Sequence, residues 1–126
     1  MSASRRQARR QALFLLYQWD LSGGVIGAQF AGEIDPWARA FAQAVAAEAP
    51  ALDERITAAA DGWTADRLGA VERSALRGAV HELISGDVPA PVAISEAVAF
   101  VKRYASDEAA RLVNGILGRI QREEAA

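Results

Sequence analysis

The chain has 126 residues, with 14 Lys and Arg against 16 Asp and Glu for a formal charge of −2, and it has no cysteine. These figures exclude a uniformly basic nucleic-acid binder, a disulfide framework, thiolate catalysis and every cysteine-ligated metal site. The average conceals a division. Residues 1–19 hold Arg5, Arg6, Arg9 and Arg10 and no acid, which leaves 10 bases and 16 acids elsewhere: a +4 segment beside a −6 body. A chain of this length buries roughly two-thirds of its unfolded surface, so residues 1–126 read as one domain. No run approaches the roughly 20 apolar residues that span a bilayer. The apolar stretch after the arginines is only Ala12 to Tyr17, followed by Gln18 and Asp20 with no small-residue cleavage pattern, so a cytoplasmic location is expected.

Nearly a quarter of the residues are alanine, and Asn-Gly hairpin signals between β-branched runs are missing, which predicts an all-α chain. A first helix is expected to open near Ser4, as its cap, and to close around Leu21 before Ser22, Gly23 and Gly24. Residues Gly23 to Ile34 are poorly patterned. Asp35-Pro36 is a start signal for a second helix carrying Trp37, Phe41, Ala44 and Val45 at helical spacing and stopping before Pro50. A third helix, roughly Ala51 to Ala60, places Leu52 one turn from Ile56 and ends at Asp61-Gly62. Trp63 then enters a turn capped by Thr64.

From Ala70 to Ser85 the residues Val71, Ala75, Leu76, Ala79, Val80 and Leu83 form a stripe opposite Glu72, Arg73 and Arg77, and Gly86 stops it. A short rigid connector, Asp87 to Pro91, leads into a helix lined by Ile94, Ala97, Val98 and Val101 and ending at Tyr104. Ser106 caps the last helix, where Ala109, Leu112, Val113, Ile116, Leu117 and Ile120 recur at core spacing. About six or seven helices form a compact bundle. Asn114-Gly115 interrupts the last one at about 1 kcal/mol for the glycine, which predicts close helix packing there; Gly69 and Gly78 admit the same reading.

The basic N-terminus is the most informative local feature. At about 100° per residue Arg6 and Arg10 lie within roughly 40° of each other, and Tyr17 falls between their azimuths about 10 Å beyond Arg10. Guanidinium groups suit phosphates and an aromatic ring suits an unpaired base, so the stripe fits single-stranded RNA. A solvated helix start with Tyr17 packed at the core edge is the ordinary alternative. His81, with only Glu82 near it in sequence, reads as a surface or boundary histidine. No phosphate-cradling glycine loop, metal-ligand cluster or nucleophile elbow is present, so the chain reads as a non-enzyme without cofactor or metal.

The order Val88-Pro89-Ala90-Pro91-Val92-Ala93-Ile94-Ser95-Glu96-Ala97-Val98, then Lys102-Arg103-Tyr104, then Leu112-Val113-Asn114-Gly115-Ile116-Leu117 resembles the C-terminal signature of the NusB transcription antitermination family. In that family a Val-Pro connector leads into an Ala-Ile-Asn-Glu-Ala helix and then a Phe-Val-Asn-Gly-Val-Leu helix. Arg5 to Tyr17 is similar to the family's N-terminal helix, and Val71 to Arg77, continuing to Glu82-Leu83, to its central one. Ser95 stands where the family usually has asparagine, Leu112 where it has phenylalanine, and Pro91 where a basic or polar residue is common. Residues Ser22 to Gly62 match little beyond helical character.

The resemblance implies a NusB-like, non-catalytic, all-helical RNA-binding protein in rRNA transcription. Its expected partners are boxA, a short single-stranded element of ribosomal RNA leader transcripts, the ribosomal protein NusE, and NusA and NusG on RNA polymerase. By position it implies Arg5, Arg6, Arg9, Arg10 and Tyr17 as the RNA-facing set and Glu72 and Glu108 as partner contacts, with Arg111, Asn114 and Lys102 as further candidates. Two other readings stand beside it. One is an accessory domain of a ribosomal RNA methyltransferase, disfavoured because no methyl-donor domain accompanies residues 1–126. The other is a helical protein-interaction module without RNA affinity. A homodimer that buries the basic helix is compatible with the stripes.

Overall fold

The computed structural model describes residues 3–126, with side chains from Ser4 onward. Six α-helices run in the order α1 (Ala3–Ser22), α2 (Pro36–Ala47), α3 (Ala49–Ala59), α4 (Ala70–Ser85), α5 (Ala90–Tyr104) and α6 (Asp107–Ala125), with a 3₁₀ turn at Ala65–Arg67 before α4. No strand occurs among the described residues, as the composition predicts.

Local chemistry explains most of the boundaries. Asp35 accepts hydrogen bonds from the N–H groups of Trp37 and Ala38 at 2.8 and 3.1 Å, and Pro36 occupies the first turn, where its missing donor is not needed. Ser106 accepts from the Ala109 N–H at 3.0 Å at the head of α6. Gly86 ends α4 at φ 72°, a left-handed cap that glycine adopts without steric cost.

Three boundaries differ from the sequence reading. Ser4 lies inside α1 and is not its cap. The second helix stops before Pro50 as expected, but α3 starts at Ala49 and not at Ala51, with Pro50 in its first turn, because proline is tolerated where no N–H bond is made. Thr64 occupies the cap position of the 3₁₀ turn without capping it; its hydroxyl donates to the Asp66 carboxylate, which holds that exposed acid below its ordinary range.

The organising element is α4, which packs against all five other helices. Its residues from Ser74 through Val80 are buried without interruption, so it has no solvent face over two turns. The expectation of a polar side at Arg77 is therefore corrected. That arginine is turned inward, and its charge is neutralised by acids from other helices. The rest of the core comes from the predicted stripes, including Ile56, Leu76, Leu117 and Ile120, together with Leu15 and Leu16 of the apolar stretch in α1, all fully buried.

The helix-free Gly23–Ile34 stretch is tied back by side chains of both flanking helices, Gln18 of α1 donating to the Gln29 carbonyl and Arg39 of α2 to the Ile26 carbonyl. The Gln11 amide donates to the Glu33 carbonyl at 3.1 Å and accepts from the Asp35 N–H at 2.7 Å, placing the start of α2 against α1.

Two glycines separate packing from pattern. A Cβ on Gly78 would fall 2.8 Å from Leu13 Cδ2, so this glycine allows α1 to approach α4. Gly115 meets nothing within 4 Å and is exposed beside exposed Asn114, which corrects the expectation of close packing there. The α6 stripe occupies the opposite side of the helix. Gly115→Ala is expected to raise stability by about 0.5–1 kcal/mol. Gly78→Ala should lower it by about 1 kcal/mol, because overpacking of about 1–3 kcal/mol outweighs the gain in helix propensity. Urea unfolding followed by circular dichroism measures both; shifts of the same sign would refute this division.

Candidate nucleic-acid interface

The four arginines of α1 are divided by the fold. Arg9 is only 3% exposed and forms a two-pronged ion pair with Glu82 of α4, at 2.8 and 2.7 Å, with Glu82 itself 4% exposed. This corrects its grouping with the surface arginines. The reason is legible in the helical period: at 100° per residue Arg9 lies about 20° from Leu16 and 40° from Leu13, both core residues. Arg5 is exposed, with its guanidinium 4.1 Å from the centre of the Trp37 ring, an attraction between the cation and the face of the ring. Arg6 donates from Nε to Glu96 Oε1 at 3.1 Å while its side chain stays half exposed. Arg10 is exposed, and Tyr17 is half-buried about two turns farther along.

Beside Arg10 lies a cleft of about 330 Å³ between α1 and α5. Arg9 and Arg10 line it from α1, and Glu96, Lys102, Arg103 and Tyr104 from α5, over a wall that includes Leu13 and Phe100. The rings of Phe14, Phe100 and Tyr104 form a three-way cluster with centroids 4.8–5.2 Å apart, which fixes Tyr104 in place while leaving it 37% exposed. Lys102 and Arg103 occupy the last turn of α5, where cations also complement the helix dipole. Sequence reasoning gave no role to Arg103, Tyr104 or Glu96. Only their position on α5 opposite Arg10, a tertiary fact, brings them into one site.

On the other side of α1 an aromatic row runs along α2. Trp37 stacks on Phe41 at 5.0 Å, and Phe41 meets His81 edge-to-face at 5.4 Å. His81 is half-buried, a boundary residue as read from sequence, and the acid brought to it by folding is Glu48, whose Oε2 is 3.2 Å from Nδ1.

The two acids implied as partner contacts have ordinary local placements. Glu72 lies in the first turn of α4 with its carboxylate folded over Gly69, and Glu108 is exposed in the first turn of α6, where an acid complements the dipole. The fold does not bring them into the α1–α5 cleft. Arg111, Asn114 and Lys102 are exposed and line a second shallow groove between α5 and α6.

A four-residue ion network holds the far end of α1. Asp20 takes two bonds from Arg73, at 3.0 and 2.6 Å, and one from Arg77 at 2.8 Å; Arg77 also grips Asp53 of α3 at 2.8 and 2.7 Å. Arg73 further donates to the carbonyls of Ala65 and Leu68, anchoring the 3₁₀ turn. Burial opposes the ionisation of Asp20, but the hydrogen bonds and charges of the two arginines outweigh it and hold the carboxyl below its usual range. Arg77 is likewise disfavoured as a cation by burial and restored above its ordinary value by Asp53 and Asp20.

Among the described residues, no group of three or more His, Asp or Glu is placed to hold a metal ion, and no helix is long and apolar enough to cross a membrane.

Known proteins align with this architecture over nearly its full length. The model of the NusB family matches residues 6–122. The transcription antitermination protein NusB of Saccharopolyspora erythraea is 38% identical over 93% of this chain and 86% of its own length. That of Rubrobacter xylanophilus is 38% identical over 90% and 87%. Among solved structures, the antitermination factors NusB and NusE in complex with dsRNA include a chain 30% identical to this one, covering 98% of this chain and 99% of that one with a TM-score of 0.83. NusB of T. maritima is 29% identical, covers 100% and 96%, and gives a TM-score of 0.85. With the family model matching residues 6–122 and relatives 38% identical over at least 90% of its length, the chain belongs to the NusB family.

Proposed function

We propose that this protein is a transcription antitermination factor that binds boxA RNA of ribosomal RNA leader transcripts together with the ribosomal protein NusE, and acts with NusA and NusG on RNA polymerase. The observation that carries the RNA part is the convergence of exposed Arg10, Lys102 and Arg103 on one cleft, with Arg6 and Tyr17 on the adjoining face of α1. The similarity to a solved NusB–NusE complex with RNA supports the partner assignment. Arginines and Lys102 contact phosphates and provide affinity with little sequence information. Bases stacked or hydrogen-bonded on their open edges provide discrimination. Arg9 acts by holding α1 in place, and Arg5 by its position over Trp37. Glu72 and Glu108 face NusE. No step of this function requires bond chemistry, a cofactor or a metal.

The test is fluorescence anisotropy of labelled boxA RNA over a range of salt. The double variant Arg6→Ala, Arg10→Ala is expected to bind more weakly and to reduce the slope of log affinity against log salt by about 1.4, at roughly 0.7 per lost single-strand phosphate contact. Helix content should be unchanged, because neither side chain is buried. NusE should tighten the binding of boxA and not of a scrambled strand, and the single strand should bind more tightly than its duplex. Unchanged affinity of the double variant at all salts would overturn the phosphate role.

A further inference from the structure

Among the described residues Glu96 is the only acid lining the α1–α5 cleft; the other charged residues there are Arg9, Arg10, Lys102 and Arg103. A carboxylate in a site that attracts a polyanion weakens binding unless it accepts hydrogen bonds from the ligand. Its side chain is 20% exposed, and it is fixed on one oxygen only: Arg6 Nε donates to Oε1, while Oε2 accepts no hydrogen bond from the described residues. An ionised carboxylate is an acceptor with two oxygens and no donor, so it selects a ligand edge that offers donors side by side.

Resting on the RNA-binding reading above, we propose that this cleft is a base pocket selective for guanine, with Glu96 as the residue that reads the base. Guanine presents N1–H and N2–H in parallel on its Watson–Crick edge, the pattern a carboxylate meets with two bonds in one plane, as it meets the fork of an arginine. Cytosine and adenine offer one amino donor beside a ring-nitrogen acceptor, and uracil offers one N–H between two carbonyls. Each of those turns an acceptor toward the Glu96 oxygens and is repelled. Tyr104 supplies the exposed aromatic surface beside the edge-reading group, Arg10, Lys102 and Arg103 supply the phosphate contacts, and the cleft lies in the size range of small-ligand sites. Arg6 keeps the carboxylate aimed and offsets its charge.

The experiment uses the full chain and four single-stranded RNA octamers, all uridine or uridine with one central guanosine, adenosine or cytidine, read by anisotropy at fixed salt. Wild type is expected to bind the guanosine strand about tenfold more tightly than the other three, in line with a good two-bond base contact. Glu96→Gln, which keeps shape but replaces one acceptor with a donor, should reduce that ratio to below about threefold. Lys102→Ala should weaken all four by one factor. Equal affinity of wild type for all four strands would overturn the guanine pocket and leave the RNA reading standing, whereas no binding to any strand would overturn both. An unaltered guanosine preference in Glu96→Gln would remove Glu96 as the reader. The wild-type ratio decides the matter even where a variant folds poorly.

Discussion

Replacing Glu82 with alanine is expected to lower the stability of the protein by about 3–5 kcal/mol, a large part of the roughly 5–15 kcal/mol that a domain possesses. The change leaves the Arg9 guanidinium buried at 3% exposure without its carboxylate. The loss is dominated by that uncompensated charge and not by the intrinsic worth of the pair. The apolar double replacement Arg9→Met, Glu82→Leu removes both charges and should recover most of the stability. Urea unfolding by circular dichroism on Arg9→Ala, Glu82→Ala and their double variant forms a cycle that checks this, with Arg9→Met, Glu82→Leu measured beside it. A Glu82→Ala loss below about 1 kcal/mol would show that water reaches the pair. The same cycle bears on RNA binding: Arg9→Ala should lower affinity through loss of fold, whereas Arg10→Ala should lower it in a protein of unchanged stability.

The second large effect is a dependence on acid. Asp20 is held below its ordinary carboxyl range by Arg73 and Arg77 against the opposing effect of burial. A group whose folded pKa is depressed binds fewer protons folded than unfolded, so its contribution is complete above the unfolded value, near 4, and is lost as pH falls through the folded one. The melting temperature should be insensitive to this group above about pH 5 and should fall progressively below pH 4. Asp20→Asn should be less stable by about 3 kcal/mol at neutral pH, because Arg73 and Arg77 lose a shared anion, and should show a shallower decline in acid. Calorimetry between pH 2 and 7 on both proteins tests this. An equally steep acid limb in Asp20→Asn would assign the sensitivity to other carboxylates.

The sequence was most informative where a local rule has one solution. The α4 limits Ala70 and Ser85, the Asp35-Pro36 start and the Ser106 cap all followed from residue chemistry that acts within four positions. It was least informative where two arginines of one helix have the same chemistry and different fates. Arg9 and Arg10 differ by one residue, yet one meets an acid 73 positions away and the other lines an open cleft. The period did hold a clue, since Arg9 shares an azimuth with Leu13 and Leu16, but hydrophobic patterning alone does not state that a charge will be buried with a partner. Gly78 and Gly115 make the same point. Both break helix propensity, and only the approach of Leu13 tells the packing glycine from the exposed one. Glu96, Arg103 and Tyr104 of α5 were out of reach for a related reason, because the cleft exists only once α5 is laid beside α1.

The opening charge division also changes under the fold. Of the +4 on the N-terminal segment, Arg9 is matched by Glu82 and Arg6 by Glu96, so the field that a distant polyanion meets near α1 owes much to Lys102 and Arg103 of α5. The attraction is a property of two helices and not of one basic tail.

Helices α1 and α4 are joined at both ends in opposite directions, Arg9 of early α1 to Glu82 of late α4 and Asp20 of late α1 to Arg73 and Arg77 of early α4. The two attachments lie about 16 Å apart along α1. A slip of α1 by one turn, about 5.4 Å, would break both at once, so there is no neighbouring register in which the pair of helices is half satisfied. The helix that carries Arg6 and Arg10 is thereby a rigid rod before any ligand arrives. The entropy lost when a strand docks on it falls on the arginine side chains, at about 2 kcal/mol of rotamer freedom each at most, and on the strand itself, with no backbone left to order.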